Sequence, residues 1–143
     1  MGFEYIDHTA DIQVHAWGSD IQQCFEQTVI AMMNVMTNTD EIGEFETVEI
    51  ELSAPDKEIL LVDYLTEYLF IFDTKELLFS RVQVDRFEYN EQMDEYRIHS
   101  KSYGEQLNRE KHELKAEVKA VTFSYLEIEE KEEKTELWVV LDL

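Results

Sequence analysis

Cysteine, proline and glycine are scarce in this sequence of 143 residues. Its one cysteine is Cys24, so neither an intramolecular disulfide nor a cysteine-based zinc cluster can form. With only 4 glycines, the sequence lacks a glycine-rich loop that would bind phosphate. It also has no Gly-x-Ser-x-Gly pattern, which forms the nucleophile elbow of many serine hydrolases. These absences argue against a nucleotide-binding or serine-dependent enzyme. They also favour a reducing compartment, and we expect the cytoplasm.

Long hydrophobic runs are missing as well. No apolar stretch approaches the roughly 20 residues of a membrane-spanning helix. The first residues lack the basic start and apolar core of a secretory signal. We therefore predict no association with a membrane.

Positively charged residues are scarce too. The sequence has 12 Lys and Arg but 33 Asp and Glu, which gives a formal net charge of −21. A body this acidic repels phosphate backbones, so we expect no direct nucleic-acid binding. The charge suits a cation ligand, a basic protein partner or solubility alone, and composition does not choose among these.

Two segments have the 3.6-residue period of α-helices. Ser19 and Gln22 match a capping box at the start of the first helix. Cys24 lies on its apolar stripe, so we interpret it as core rather than as a nucleophile. The stripe consists of Ile21, Cys24, Phe25, Thr28, Val29, Met32, Met33 and Met36.

The second predicted helix covers residues 56–72 and follows Pro55, which suits a helix start. It is apolar nearly all round, so we expect it to be buried on two sides against a sheet.

The rest of the chain alternates with the period of two that is typical of strands. Strands are predicted near residues 12–16, 48–52, 82–89, 96–98, 121–128 and 137–143. The unbroken apolar run from 138 to 141 predicts a central strand. We predict one α+β domain over residues 1–143, with a mixed or antiparallel sheet of six to eight strands packed with two main helices.

One short segment near the start concentrates side chains that can carry chemistry. Two carboxylates, an imidazole and a hydroxyl lie within five residues, just before a predicted strand. They belong to Asp7, Asp11, His8 and Thr9. His8 on its own is more often a structural histidine than a ligand.

The last strand carries a second anomaly, because Asp142 interrupts its apolar pattern. We expect this carboxylate to be buried and to need a partner, and Leu143 would add a terminal carboxylate. Oxygen ligands of this kind suit calcium or magnesium rather than zinc. An ion pair with Lys119 or an arginine, or exposure at a fraying end, would also explain Asp142.

Several blocks of the sequence resemble, in order, the motifs of the archease family. They are residues 5–12 (YIDHTADI), 15–18 (HAWG), 31–32, 60–72, 117–123 (EVKAVTF) and 140–143 (VLDL). Together they span nearly the whole chain. Phe123 and Tyr68 depart from the tyrosine and tryptophan that are common in the family.

This resemblance implies a non-catalytic protein cofactor of the GTP-dependent RNA ligase of tRNA splicing. Such a cofactor promotes guanylylation of the ligase and its multiple turnover. The family's metal ligands correspond to Asp11, Asp142 and Leu143, and Lys119 matches a position needed for activation. His8 and Asp7 would lie beside this site. Calcium is the expected ion, with magnesium or manganese as alternatives.

Two other functions compete with this interpretation. A free-standing metal-dependent hydrolase of a small substrate would turn over alone, in a concave pocket centred on Asp11. A chaperone or general interaction module would tolerate the loss of Asp142.

Overall fold

The computed structural model describes residues 1–8 and 10–143, and these form seven strands, two α-helices and one short 3₁₀ helix. In chain order the strands and helices are β1 (Gly2–His8), β2 (Asp11–Gly18), α1 (Ile21–Met36), the 3₁₀ helix (Thr39–Glu41), β3 (Glu46–Ala54), α2 (Lys57–Lys75), β4 (Leu77–Asn90), β5 (Glu95–Gln106), β6 (Ala120–Glu130) and β7 (Thr135–Asp142). The α+β class and the two main helices are confirmed. In this part of the chain no helix has the length and apolar character that crossing a membrane requires.

The strands are divided between two sheets, where the sequence pattern predicted one. The first sheet has the order β1-β2-β7-β6, and the second has the order β3-β5-β4. Every neighbouring pair is antiparallel. Strand β7 lies between β2 and β6, so its predicted central position is confirmed. Strand β1 was not predicted, because its side chains are mostly exposed and carry little of the alternation of a half-buried strand.

Both helices lie between the two sheets. Helix α1 packs on β2 of the first sheet and on β4 of the second, and α2 packs on β6 and β3. The predicted two-sided burial of α2 is therefore confirmed, and it explains why this helix is apolar nearly all round.

The start of α1 differs by one residue from the predicted capping box. Asp20, not Ser19, is the N-cap, and its Oδ1 accepts a hydrogen bond from the Gln23 backbone N–H at 2.9 Å. The Gln23 side chain in turn accepts from the Ser19 N–H at 2.8 Å. A carboxylate at this position also interacts favourably with the positive end of the helix dipole, which the Ser19 hydroxyl would not do.

The buried stripe of α1 is confirmed at Cys24. Its thiol is fully buried and donates to the Thr135 carbonyl oxygen at 2.9 Å. Burial raises the pKa of Cys24 to about 12, so the thiolate form is suppressed at neutral pH. This thiol therefore serves as core packing rather than as a nucleophile.

Helix α2 contributes a buried polar network to the core. The Tyr64 hydroxyl donates to Ser100 Oγ at 2.8 Å and lies 3.0 Å from the Tyr68 hydroxyl, which is 2.5 Å from Ser102 Oγ. All four residues are fully buried, and burial raises the pKa of both tyrosines. The network fixes α2 against the central strand of the second sheet.

Loss of one hydroxyl from this network should destabilise the fold. We expect Tyr64→Phe to lower the free energy of unfolding by about 1–3 kcal/mol, because Ser100 is left buried without its donor. The matched control, Tyr125→Phe at an exposed tyrosine, should change it by less than about 0.5 kcal/mol. Urea denaturation of the three proteins measures both values, and equal stabilities would contradict a structural role for the network.

Candidate functional site

The pairing of β2 with β7 brings the two predicted carboxylate ligands together. Asp11 opens β2, Asp142 closes β7, and the two residues are direct partners in the antiparallel register. Direct partners lie on the same face of a sheet with Cβ atoms about 4.5–5.5 Å apart. The two carboxylates therefore occupy adjacent positions at one end of the first sheet.

Backbone hydrogen bonds attach the other predicted residues to the same place. The Leu143 N–H donates to the Ala10 carbonyl oxygen at 3.3 Å, and the Lys119 N–H donates to the Asp142 carbonyl oxygen at 2.8 Å. Ala10 has a φ of 63°, in the left-handed region, where the chain turns between β1 and β2. Thr9, the hydroxyl of the predicted cluster, lies outside the described residues.

Asp11 carries an unusual carboxylate oxygen. Its Oδ1 is buried and, among the described residues, has no hydrogen-bond partner. The nearest basic atom, His8 Nδ1, is 3.6 Å away, which is beyond a normal hydrogen bond. A buried, unpaired carboxylate oxygen is costly, and a cation would satisfy it.

The burial expected for Asp142 is wrong, because its side chain is exposed. It points away from the helices, on the outer face of the sheet, at the residue where β7 ends. Among residues 1–8 and 10–143, no three His, Cys, Asp or Glu side chains are grouped to hold a metal ion. A cation here would need main-chain oxygens or water besides Asp11 and Asp142, and hard cations such as calcium accept such ligands. The donors fit that class of ion.

His8 lies beside this pair and Asp7 does not. His8 is the direct partner of Asp11 across the β1–β2 pairing, and its Nε2 is 3.3 Å from Gln13 Oε1. Asp7 pairs with Ile12, so its exposed side chain is on the opposite face of the sheet from Asp11.

The outer face of the first sheet holds a network that the sequence analysis missed. His15 Nδ1 is 2.8 Å from Glu4 Oε1, and its Nε2 is 3.0 Å from Glu136 Oε1. Both nitrogens donate at once only when the ring is protonated. The imidazole is also stacked on Trp138, with ring centres 4.7 Å apart and planes 1° apart. The network ties β1, β2 and β7 together on the same face of the sheet as the Asp11–Asp142 pair, four residues further along β2.

A weak sequence signal for this network existed. His15 alternates with inward-facing Val14 and Ala16 on β2, which places it on the outer face. Its carboxylate partners come from β1 and β7, and only the register of the folded sheet identifies them.

The whole of this architecture has counterparts among known proteins. Residues 3–143 match the model of the Archease protein family. The chain belongs to the archease family. It is 39% identical to protein archease of Methanothermobacter thermautotrophicus, over 99% of both chains. It is 38% identical to protein archease of Methanosarcina acetivorans, over 99% of this chain and 95% of the relative. It is 37% identical to protein archease of Ictalurus punctatus, over 99% of this chain and 85% of the relative.

Two solved structures share the archease fold with this chain. The solution structure of protein 1598 of Methanobacterium thermoautotrophicum has a TM-score of 0.81 at 36% identity, over 99% of both chains. The crystal structure of a Thermotoga maritima protein, described as an archease and possible chaperone, has a TM-score of 0.55 at 18% identity. It covers 96% of this chain and 94% of its own, and it supports the fold alone.

The outer-face network should make the stability of this archease-family chain depend on pH. The hydrogen bond with His15 holds the pKa of Glu136 below its usual range; partial burial opposes this and Lys134 adds to it. A carboxylate with a lowered pKa stabilises the fold above its unfolded pKa of about 4.3, and that stabilisation is lost as pH falls through the lower folded pKa. We expect Glu136→Gln to lose less stability than the wild type between about pH 6 and about pH 3.

Urea midpoints at a series of pH values measure this difference. Glu88→Gln, at an exposed carboxylate on β4 of the second sheet, is the matched control and should follow the wild type. The same pH dependence in Glu136→Gln and the wild type would show that the His15 contact contributes nothing in solution.

Proposed function

We propose that this archease-family chain is a non-catalytic activator of the GTP-dependent RNA ligase of tRNA splicing, and that it acts with a divalent cation held at Asp11, Asp142 and Leu143. Membership of the family supports the choice of partner and reaction. The observation that supports the cation is the buried Oδ1 of Asp11, which has no hydrogen-bond partner among residues 1–8 and 10–143 and lies directly across the sheet from Asp142. Calcium is the proposed ion, with magnesium or manganese as alternatives.

The positions of the individual residues support the roles proposed for them. Asp11 and Asp142 would supply carboxylate oxygens from neighbouring strands, and the hydrogen bond between Leu143 and Ala10 would fix the last residue beside them. When bound, a hard cation supplies positive charge that organises phosphate and carboxylate oxygens. Lys119 is exposed, and its backbone is bonded to Asp142, so its ammonium group could reach a partner from the rim of the site.

His8 would act from the opposite rim. Its ring is exposed, lies across β1–β2 from Asp11 and is close to the amide of Gln13. From this position it can orient the Asp11 carboxylate or contact a bound partner.

Charge supports a protein partner rather than direct contact with RNA. The net charge of −21 repels a phosphate backbone but attracts the basic surface of an RNA-binding ligase. Such steering accelerates the encounter and weakens as salt rises, because the Debye length falls to about 8 Å at physiological ionic strength. The unreactive thiol of Cys24 suits the reducing cytoplasm, which is the proposed location.

The shape of the site favours an activator over a free-standing hydrolase. A cavity of about 440 Å³ lies between α2 and the segment that leads into β6. It is lined by Met36, Leu69, Phe72, Asp73, Glu76, Leu107, Arg109, Leu114, Lys115, Ala116, Glu117 and Val118. Neither Asp11 nor Asp142 is among the residues that line this cavity, and neither lines the groove at Gln13 and Trp138 on the outer face of the first sheet. A hydrolase centred on Asp11 needs a concave substrate site at that residue.

The test is multiple-turnover ligation by the cognate ligase with this protein, with Asp11→Asn and with Asp142→Asn. We expect the intact protein to restore turnover and each variant to lose at least about tenfold, since loss even of a residue that only orients a ligand costs about 10- to 100-fold. Asp73→Asn, at an exposed carboxylate on α2, is the control and should stimulate like the wild type.

Circular dichroism and thermal unfolding verify that each variant is folded. A lack of stimulation by the intact protein would refute the proposed function. Turnover of a small phosphoester substrate by this protein alone would then favour the hydrolase.

A further inference from the structure

The outer face of the first sheet contains a groove beside the candidate metal site. This groove, called here the Trp138 groove, has a volume of about 420 Å³ and is lined by Ile6, Gln13, Tyr125, Leu126, Glu127 and Trp138. The helices and the second sheet lie on the other side of this sheet, so the groove opens away from the core.

An irregularity in β6 shapes one wall of the groove. The register of β6 against β7 shifts between Thr122 and Glu127, so that the intervening residues bulge from the ladder. Tyr125, within the bulge, has a φ of 55° in the left-handed region, and its side chain is 76% exposed. A bulky residue in this conformation is strained, and such strain accumulates at binding sites. The bulge holds the tyrosine ring out beside His8, with ring centres 6.2 Å apart.

The groove combines aromatic faces with negative charge. Trp138 and Tyr125 supply the rings, and Glu127 supplies a carboxylate. The nearby carboxylate of Glu129 raises the pKa of Glu127, because two like charges side by side disfavour the ionised form and favour a bound proton or cation. An aromatic surface beside a carboxylate is a combination that recognises a cationic side chain.

We propose that the Trp138 groove receives an arginine side chain of the partner ligase. This inference rests on the proposed function and adds the chemistry of the contact. Arginine fits better than lysine, because its planar guanidinium stacks on aromatic rings and bonds a carboxylate with two N–H groups. Gln13 lies two residues along β2 from Asp11, on the same face, so one partner can cover the groove and the metal site together.

The first experiment measures the Kd of the cognate ligase for this protein and for the variants Tyr125→Ala and Glu127→Gln. Each variant should bind about 3- to 30-fold more weakly, which is the range expected for the loss of a cation–π or charged contact. Tyr125 is exposed and Glu127 lies at the surface, so neither change removes core packing. The controls are Phe70→Ala, at an exposed aromatic residue of α2, and Glu88→Gln on β4, and both should bind like the wild type.

A second experiment probes the groove without the ligase. The indole N–H resonance of Trp138 is followed by NMR during titration with N-acetyl-arginine amide and, separately, with N-acetyl-lysine amide. The arginine compound should shift this resonance more strongly, and Glu127→Gln should reduce the shift. Equal and nonspecific shifts with both compounds would overturn the assignment to arginine.

The two hypotheses fail in different ways. Wild-type ligase affinity in Tyr125→Ala and Glu127→Gln, with stimulation of ligation intact, would overturn the groove and leave the proposed function standing. Failure of the intact protein to bind the ligase would overturn the proposed function and the ligase as the source of the arginine. The arginine probe would then still report whether the groove binds a guanidinium group.

Discussion

The antiparallel pairing of β2 with β7 is the constraint on which the rest of the structure depends. It joins the beginning of the chain to its last strand and sets Asp11 directly opposite Asp142. The same register brings Leu143 to Ala10 and carries His15 between carboxylates of β1 and β7. A slip by one residue would send every one of these side chains to the opposite face of the sheet. The candidate site and the outer-face network therefore both require the same β2–β7 register.

Two sheets around a layer of helices also explain the amino-acid composition. The helices are covered on both sides, so their side chains supply most of the fully buried groups, including Cys24 and Tyr64. Charged residues are left for the surface, which includes the outer faces of the sheets, and the net charge of the whole chain is −21. On the first sheet that charge surrounds two tryptophans and a histidine, which is a surface suited to a basic partner.

Much of the fold was predictable from local pattern. The apolar circumference of α2 indicated burial on both sides, and this prediction is confirmed. The apolar run of β7 indicated a central strand buried on both faces. Its central position is confirmed, but Trp138 on its outer face is only partly buried. The same run suggested burial of Asp142, and that prediction is wrong, because the last residue of a strand need not share the burial of those before it. The division into two sheets and the partners of His15 depend on contacts between distant segments, which no local period encodes. The motifs placed Asp11, Asp142, Leu143 and Lys119 in one site, and the structure brings these four together, while their role as metal ligands and activating residue stays a prediction.

The central claim is that a divalent cation binds at the end of the β2–β7 pair. Paramagnetic broadening by sub-stoichiometric Mn²⁺, followed in amide NMR spectra, tests it most directly. The account predicts selective loss of the amide signals of residues 10–12, 119–120 and 141–143, competed by calcium and abolished in Asp11→Asn. Signals of β3 in the second sheet should persist. If Mn²⁺ instead broadened amide signals over the whole acidic surface, or broadened them equally in Asp11→Asn, the claim of a specific cation site would be contradicted.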